Sequence, residues 1–202
     1  MIDIACGEGR FAAQLADYGH EVVGIDLSER RIQVAKQLEN KHLQFFVHDM
    51  RFPSYINYFD YAFNFFTSFG YFAQARDHHM AANAFASGLK EGGILVIDYL
   101  NKTVVSKNLV PSEHIQRGGV DFYIERYLKA EHIIKKIKLT DREGQLHQYQ
   151  ESVRAFELHH FRELMEASGL QLIQHFGDYR LNPFQEQESP RLIMIFKKQR
   201  RS

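Results

Sequence analysis

The stretch Met1-Ile2-Asp3-Ile4-Ala5-Cys6-Gly7-Glu8-Gly9 decides how the rest of the chain is read. A short apolar run ends in a glycine turn, and a helical pattern over residues 10–18 follows at once. In an α/β protein this sets backbone N–H groups and a helix N-terminus beside whatever lies above the strand end. Glycine lets the backbone approach a ligand where a side chain would stand in the way. Seventeen residues after Gly9, the run Glu21-Val22-Val23-Gly24-Ile25 ends in Asp26. An acid about 20 residues beyond the turn is placed to accept from a ribose hydroxyl pair. The opening therefore reads as a nucleoside-binding βαβ unit.

Outward from this unit, strands and helices alternate. Phe11, Leu15 and Tyr18 share one helical face, and Gly19 closes that helix. Strand two covers 21–26, and Ser28 is placed to cap a helix over 29–39. Strand three, 42–47, ends at His48-Asp49-Met50 before Pro53 breaks the chain. Strand four, 58–65, runs into Phe66-Thr67-Ser68-Phe69-Gly70-Tyr71-Phe72. A helix over 75–89, stopped at Lys90-Glu91-Gly92-Gly93, leads to strand five at 94–99. The unbroken apolar character of that strand suits a parallel sheet covered on both faces. After Leu100 the pattern changes: 120–128, 133–140 and 147–156 alternate apolar and polar residues, with a turn at Asp141-Arg142-Glu143-Gly144. This predicts a three-stranded antiparallel meander. A helix over 158–168 and strands at 170–177 and 191–197 complete the chain, and Lys197-Lys198-Gln199-Arg200-Arg201 reads as a solvated tail. The expected division is an α/β core of residues 1–101 and 157–202, with 102–156 inserted as a cap or oligomer contact.

The 202 residues suit one elaborated domain, and 45% apolar residues with 17 Phe supply a core. Equal numbers of basic and acidic residues, 25 each, argue against broad attraction to nucleic acid or membrane. Cys6 is the only cysteine, so no intrachain disulfide forms and a cytoplasmic, reducing location is expected. No apolar stretch approaches the roughly 20 residues of a membrane span. Only Met1 and Ile2 precede Asp3, so the chain is expected to start inside its own first strand, clipped of upstream structure.

Charge separates two cofactors that spacing leaves open. Gly7-Glu8-Gly9-Arg10-Phe11-Ala12 fits G-x-G-x-x-A, the pattern of an NAD(P)-dependent oxidoreductase. A dinucleotide, however, must rest its pyrophosphate at this helix N-terminus, where Glu8 and Asp3 stand. S-adenosylmethionine has no phosphate and carries net positive charge, which acids at 3, 8, 26 and 49 favour. Asp49 can accept from an adenine amino group while the N–H of Met50 donates to a ring nitrogen.

Asp3-Ile-Ala-Cys-Gly-Glu-Gly, Val-Val-Gly-Ile-Asp26-Leu27, His48-Asp49-Met50 and Leu-Lys-Glu-Gly-Gly-Ile-Leu-Val-Ile-Asp (89–98) together resemble the class I S-adenosylmethionine-dependent methyltransferases. The resemblance implies a Rossmann-like three-layer αβα sandwich. Its mostly parallel seven-stranded sheet ends in an antiparallel strand, with the meander inserted after strand five. It implies that Asp3 and the backbone of Ala5, Cys6, Gly7 and Gly9 hold the methionine end of the cofactor. Asp26 takes the ribose, Leu27 packs on the adenine, Asp49 and Met50 read its edge, and the backbone at Phe65 and Phe66 meets the amino group. Ala5 stands where the family has its first glycine, which requires a negative φ there. The meander resembles insertions of small-molecule methyltransferases such as amino-sugar N-methyltransferases, where it caps the acceptor or joins subunits. The expected activity is methyl transfer to N or O of a small molecule, leaving S-adenosylhomocysteine; a clipped, inactive interaction module is the remaining alternative.

Methyl transfer is an in-line displacement that depends mainly on alignment and exclusion of water. Among Thr67, Ser68, Tyr71, Tyr99 and Asn101, Tyr71 is the candidate for positioning the acceptor, because Gly70 frees the loop; the competing reading makes Phe66, Phe69, Tyr71 and Phe72 a hydrophobic wall. His78-His79 and His159-His160 lack a partner at metal-ligand spacing, so no metal is expected. Cys6 reads as a small residue packed beneath the cofactor.

Overall fold

The computed structural model describes residues 1–200. Five parallel strands follow the predicted apolar runs: β1 (Ile2–Ile4), β2 (Val22–Asp26), β3 (Leu43–Val47), β4 (Phe59–Asn64) and β5 (Leu89–Leu100). Two further strands, β10 (Leu170–Phe176) and β11 (Arg191–Lys198), complete a seven-stranded sheet in the order β10-β11-β5-β4-β1-β2-β3. β11 runs antiparallel to both β5 and β10. β1 pairs with β2 on one side and β4 on the other, so the chain's progression across the sheet reverses at β1. In an open α/β sheet, ligands lie beyond the carboxyl ends of the strands at such a reversal.

Helices cover both faces. Phe161, Leu164 and Met165 of α5 (Leu158–Glu166) and Ala81, Ala82 and Phe85 of α3 (Ala75–Gly88) bury Ile2, Ile4, Ala62, Leu95 and Ile97 in the main core. On the other face, Ala12 and Ala16 of α1 (Arg10–Asp17) and Ile32 and Ala35 of α2 (Glu29–Ala35) enclose Phe45 and Leu43. α2 stops four residues before the predicted end and tightens into a 3₁₀ turn, Lys36–Leu38.

A separate antiparallel sheet has four strands where three were expected: β6 (Ser112–Arg117), β7 (Val120–Lys129), β8 (His132–Thr140) and β9 (Leu146–Arg154), ordered β6-β7-β8-β9. Ser-Glu-His-Ile-Gln-Arg of β6 carries one apolar residue, so no alternation marks it. Its pairing is set by the hairpin at Gly118-Gly119, with φ of 58° and 79°. The short helix α4 (Lys102–Lys107), capped by the Asn101 side chain accepting from the Thr103 N–H, was also not foreseen. β5 starts at Leu89 rather than at 94, because the ladder with β4 shifts register and absorbs Lys90-Glu91-Gly92-Gly93. The basic tail is corrected in part. Lys197 and Lys198 extend β11 against Gln171 and Leu170, and the Lys198 ammonium donates to the Leu89 carbonyl at 2.6 Å. Arg201 lies outside the described residues.

The two sheets meet at the loop after β4. The Tyr99 hydroxyl of β5 donates to the Arg154 carbonyl, and the Arg154 N–H donates to the Gly70 carbonyl at 2.9 Å. Gly70 has φ 100°, and a side chain there would run into the Tyr99 hydroxyl, so glycine is required where the loop passes between core and cap.

Candidate active site

The glycine turn leaves β1 through three left-handed residues: Ala5 (φ 62°), Gly7 (φ 58°) and Gly9 (φ 81°). The negative φ required of Ala5 is therefore overturned. An L residue in this conformation costs roughly 1–2 kcal/mol, and the surrounding hydrogen bonds hold it there. The Cys6 N–H donates to Ile25 O at 2.9 Å, and the Gly9 N–H donates to Cys6 O at 3.0 Å. A Cβ on Gly9 would collide with the Phe45 ring, and one on Gly24 would meet that ring and the Cys6 sulfur. Cys6 is thus a packing element of the turn. Burial, then Asp3 and Asp26, push its thiol well above the usual range, which disfavours a thiolate nucleophile.

Asp3 is 2% exposed beneath the turn. Burial first, and the neighbouring Asp26 second, raise its carboxyl to about 7, against a lowering contribution from the Ala12 N–H. Asp26 ends β2 and reaches back: one oxygen accepts from the Gly7 N–H at 2.9 Å and the other from the Ser28 N–H at 2.8 Å. Each oxygen keeps a lone pair for a further donor. Beside it Leu27 is 70% exposed, an apolar surface with nothing on it.

Beyond β3, Asp49 is already engaged. Arg51 donates to it from Nη2 at 2.6 Å and from Nε at 3.0 and 3.1 Å, holding the carboxyl below the usual range. The same guanidinium reaches Asp77 on α3 at 3.3 Å. Arg51 had no role in the sequence reading, and it makes this side of the site less negative than the count of acids suggests. Met50 is half-buried against the main core.

At the end of β4, Asn64 is fully buried; its amide donates to Ile4 O at 2.9 Å, while its Oδ1 has no partner among the described residues. Phe66 and Thr67 follow with φ of 56° and 63°, a strained pair. Asp98 of β5 holds them: its carboxylate accepts from the Phe66 N–H at 2.9 Å, and its carbonyl accepts from the Thr67 N–H at 2.9 Å. Arg191 pairs with Asp98 at 2.7 Å and donates to the Thr67 hydroxyl, and the Tyr179 hydroxyl donates to Asp98 at 3.0 Å. The only sequence signal for this anchor was an acid within an otherwise apolar strand.

The aromatic run divides in two. Phe69 is fully buried against Phe85 and Phe161, and Phe72 packs on His78. Phe66, 49% exposed, packs tilted against Phe11 at 4.8 Å, and Tyr71 is 52% exposed. Burial raises the Tyr71 phenol, Glu151 of β9 adds to this and Arg31 of α2 opposes it, so Tyr71 is within reach of charges from the second sheet and from α2. His78 is buried, and burial lowers it to about 4: a neutral core residue. Glu157, His159 and His160 bring possible ligand atoms within 4.8 Å of one another, a carboxylate that sequence spacing had not offered. Lys102 pairs with that carboxylate at 2.8 Å and His160 Nδ1 accepts the Glu157 N–H, so the group serves as a helix cap. A cavity of about 630 Å³ lies at the opposite, N-terminal end of the strands, lined by His20, Glu21, Lys41, Tyr58 and Lys90, and contains none of the predicted site residues.

A family model described as a methyltransferase domain matches residues 1–175. A methyltransferase-named protein of Geobacillus sp. (strain WCH70) is 29% identical over 101 residues, 48% of this chain and 41% of its own length. YqeM of Bacillus subtilis (strain 168), likewise named as a methyltransferase, is 24% identical over 192 residues, 89% of this chain and 76% of its own. Matched segments thus span well under half of the first relative and about three quarters of the second. Among solved structures, an S-adenosylmethionine-dependent methyltransferase from Clostridium acetobutylicum ATCC 824 superposes with TM-score 0.84 at 17% identity, over 98% of this chain and 83% of that one. The sugar N-methyltransferase KedS8 from Streptoalloteichus sp. ATCC 53650 gives 0.76 at 18% identity, over 98% and 79%.

Proposed function

The chain belongs to the methyltransferase-domain family matched by its residues 1–175, and from that premise we propose that it transfers a methyl group from S-adenosylmethionine to nitrogen or oxygen of a small molecule. The observation that carries this reading is the convergence, at the carboxyl ends of β1, β2 and β3, of the glycine turn, an Asp26 hydrogen-bonded to it, and Asp49-Met50. The residues fit such a donor. Asp26 has lone pairs left for ribose hydroxyls, Leu27 offers a bare apolar surface to adenine, and Asp49 and Met50 stand at the adenine edge. Asp3 and the backbone of Ala5, Cys6, Gly7 and Gly9 face the methionine end, and the Phe65 and Phe66 backbone its amino group.

The bound sulfonium supplies an activated methyl group and a neutral leaving thioether. The protein's own contribution is alignment and dryness, which in favourable systems lower a barrier by about 7–11 kcal/mol. Asp98 and Arg191 fix the loop after β4, and Gly70 lets it pass Tyr99, so that Tyr71 is set to orient the acceptor. In this reading residues 1–101 and 157–202 bind the donor, and 102–156 cap the acceptor or provide a contact between copies in the cytoplasm. No helix among the described residues is long and apolar enough to cross a membrane.

The likeness to KedS8, a sugar N-methyltransferase, supports an amine-bearing acceptor. A methyl-transfer screen with labelled S-adenosylmethionine over amines, phenols, sugars and carboxylates tests the activity. Label transfer to an amine or hydroxyl is expected, and no transfer to any class would contradict the proposal. Light scattering reads the oligomer separately: a monomer at all concentrations would remove the cap from subunit assembly.

A further inference from the structure

The glycine turn has few donors left for an anion. The Gly7 N–H is held by Asp26, the Gly9 N–H by Cys6 O, the Cys6 N–H by Ile25 O, and the Ala12 N–H is bonded to Asp3. The Asp26 carboxylate is bonded to the turn and the Asp3 carboxyl lies buried beneath it. An amino-acid carboxylate arriving here meets the Asp26 charge and engaged amides, so a helix N-terminus alone does not accommodate it.

One cation stands at the place. Arg31 Nη1 lies 3.7 Å from where a Cβ on Gly7 would sit. Its guanidinium makes no ion pair or hydrogen bond among the described residues. The other arginine near the turn, Arg10, is turned onto the Phe11 ring at 4.7 Å, and Arg51 is committed to Asp49 and Asp77. Arg31 is also within electrostatic reach of Tyr71 in the loop after β4. An unpaired guanidinium against a side-chain-free backbone is suited to a planar, bidentate anion.

We propose that Arg31 is the receptor for a carboxylate lying against the glycine turn, that of the amino-acid end of the methyl donor. This deepens the reading given above and rests on it. Arg31 extends from the third residue of α2, so the same helix that follows the ribose-binding Asp26 also reaches the other end of the donor.

Two probes separate the parts of the donor: S-adenosylhomocysteine has the carboxylate, and 5′-methylthioadenosine has the same nucleoside thioether without it. Calorimetry compares both on the wild type, Arg31→Gln and Arg31→Lys. In Arg31→Gln, S-adenosylhomocysteine is expected to bind at least tenfold more weakly and methylthioadenosine within twofold of wild type, with Arg31→Lys intermediate. Unchanged S-adenosylhomocysteine affinity, or equal weakening of both probes, would overturn the assignment. A wild-type chain that binds neither probe would overturn the methyl-donor reading together with it.

Discussion

Asp3→Asn separates what the buried acid costs the fold from what it contributes to binding. Asp3 is 2% exposed, and its carboxyl is raised from 3.8 to about 7, chiefly by burial. The native state therefore holds this proton more tightly than the unfolded chain. The associated stability is complete below about pH 4 and is lost as pH rises to about 7. Roughly three pH units at 1.36 kcal/mol each give about 4 kcal/mol as the cost of an ionised Asp3 at pH 8. Asparagine keeps the shape and an acceptor for the Ala12 N–H but carries no charge. Urea unfolding from pH 4 to 8, extrapolated to water, should show the variant close to wild type at pH 4 and several kcal/mol more stable at pH 8. Comparing the two proteins at each pH matters because His78, lowered to about 4, imposes an opposite trend on both, with stability lost as pH falls from about 6.5. On the proposed function, the same variant should bind S-adenosylmethionine more weakly by about 1–3 kcal/mol at about pH 8, since the charged partner proposed for its cation is gone. A stability gap independent of pH, or an Asp3→Asn protein less stable at pH 8, would refute the reasoning.

Asp26→Ala removes the acceptor for the Gly7 and Ser28 N–H groups and, in the proposed reading, for the ribose; S-adenosylhomocysteine binding should weaken by about 1–3 kcal/mol in calorimetry, and an unchanged affinity would take Asp26 out of the site. Gly9→Ala forces a left-handed alanine against the Phe45 ring, so chemical denaturation should show a loss of about 2–4 kcal/mol. Arg191→Met leaves the Asp98 carboxylate buried without its cation, and a loss of about 3–5 kcal/mol is expected in the same assay. A loss under 1 kcal/mol would show that Tyr179 and the Phe66 N–H suffice to hold Asp98.

Much of the core was legible because repeating physical constraints wrote it. Apolar runs marked β2 to β5, β10 and β11, and the Gly9-to-Asp26 interval marked the first βαβ unit. What escaped was structure made by pairing and not by pattern. β6 has almost no alternation, and only its hairpin to β7 makes it a strand. Asp98 looked like part of strand five, yet it anchors the loop that presents Tyr71, through an arginine 93 residues away. Arg51 and Arg31 had no role in the sequence reading, because a sequence does not say which way a long side chain turns. Ala5 was expected to avoid a left-handed φ, and local hydrogen bonds hold it there nonetheless.

The central claim is that the carboxyl ends of β1, β2 and β3 accept a sulfonium nucleoside and not a dinucleotide. Parallel titrations of the wild-type chain with S-adenosylhomocysteine and with NAD test it most directly. The account predicts saturable binding of S-adenosylhomocysteine, weakened by Asp26→Ala, with NAD far weaker; tighter binding of NAD would contradict it.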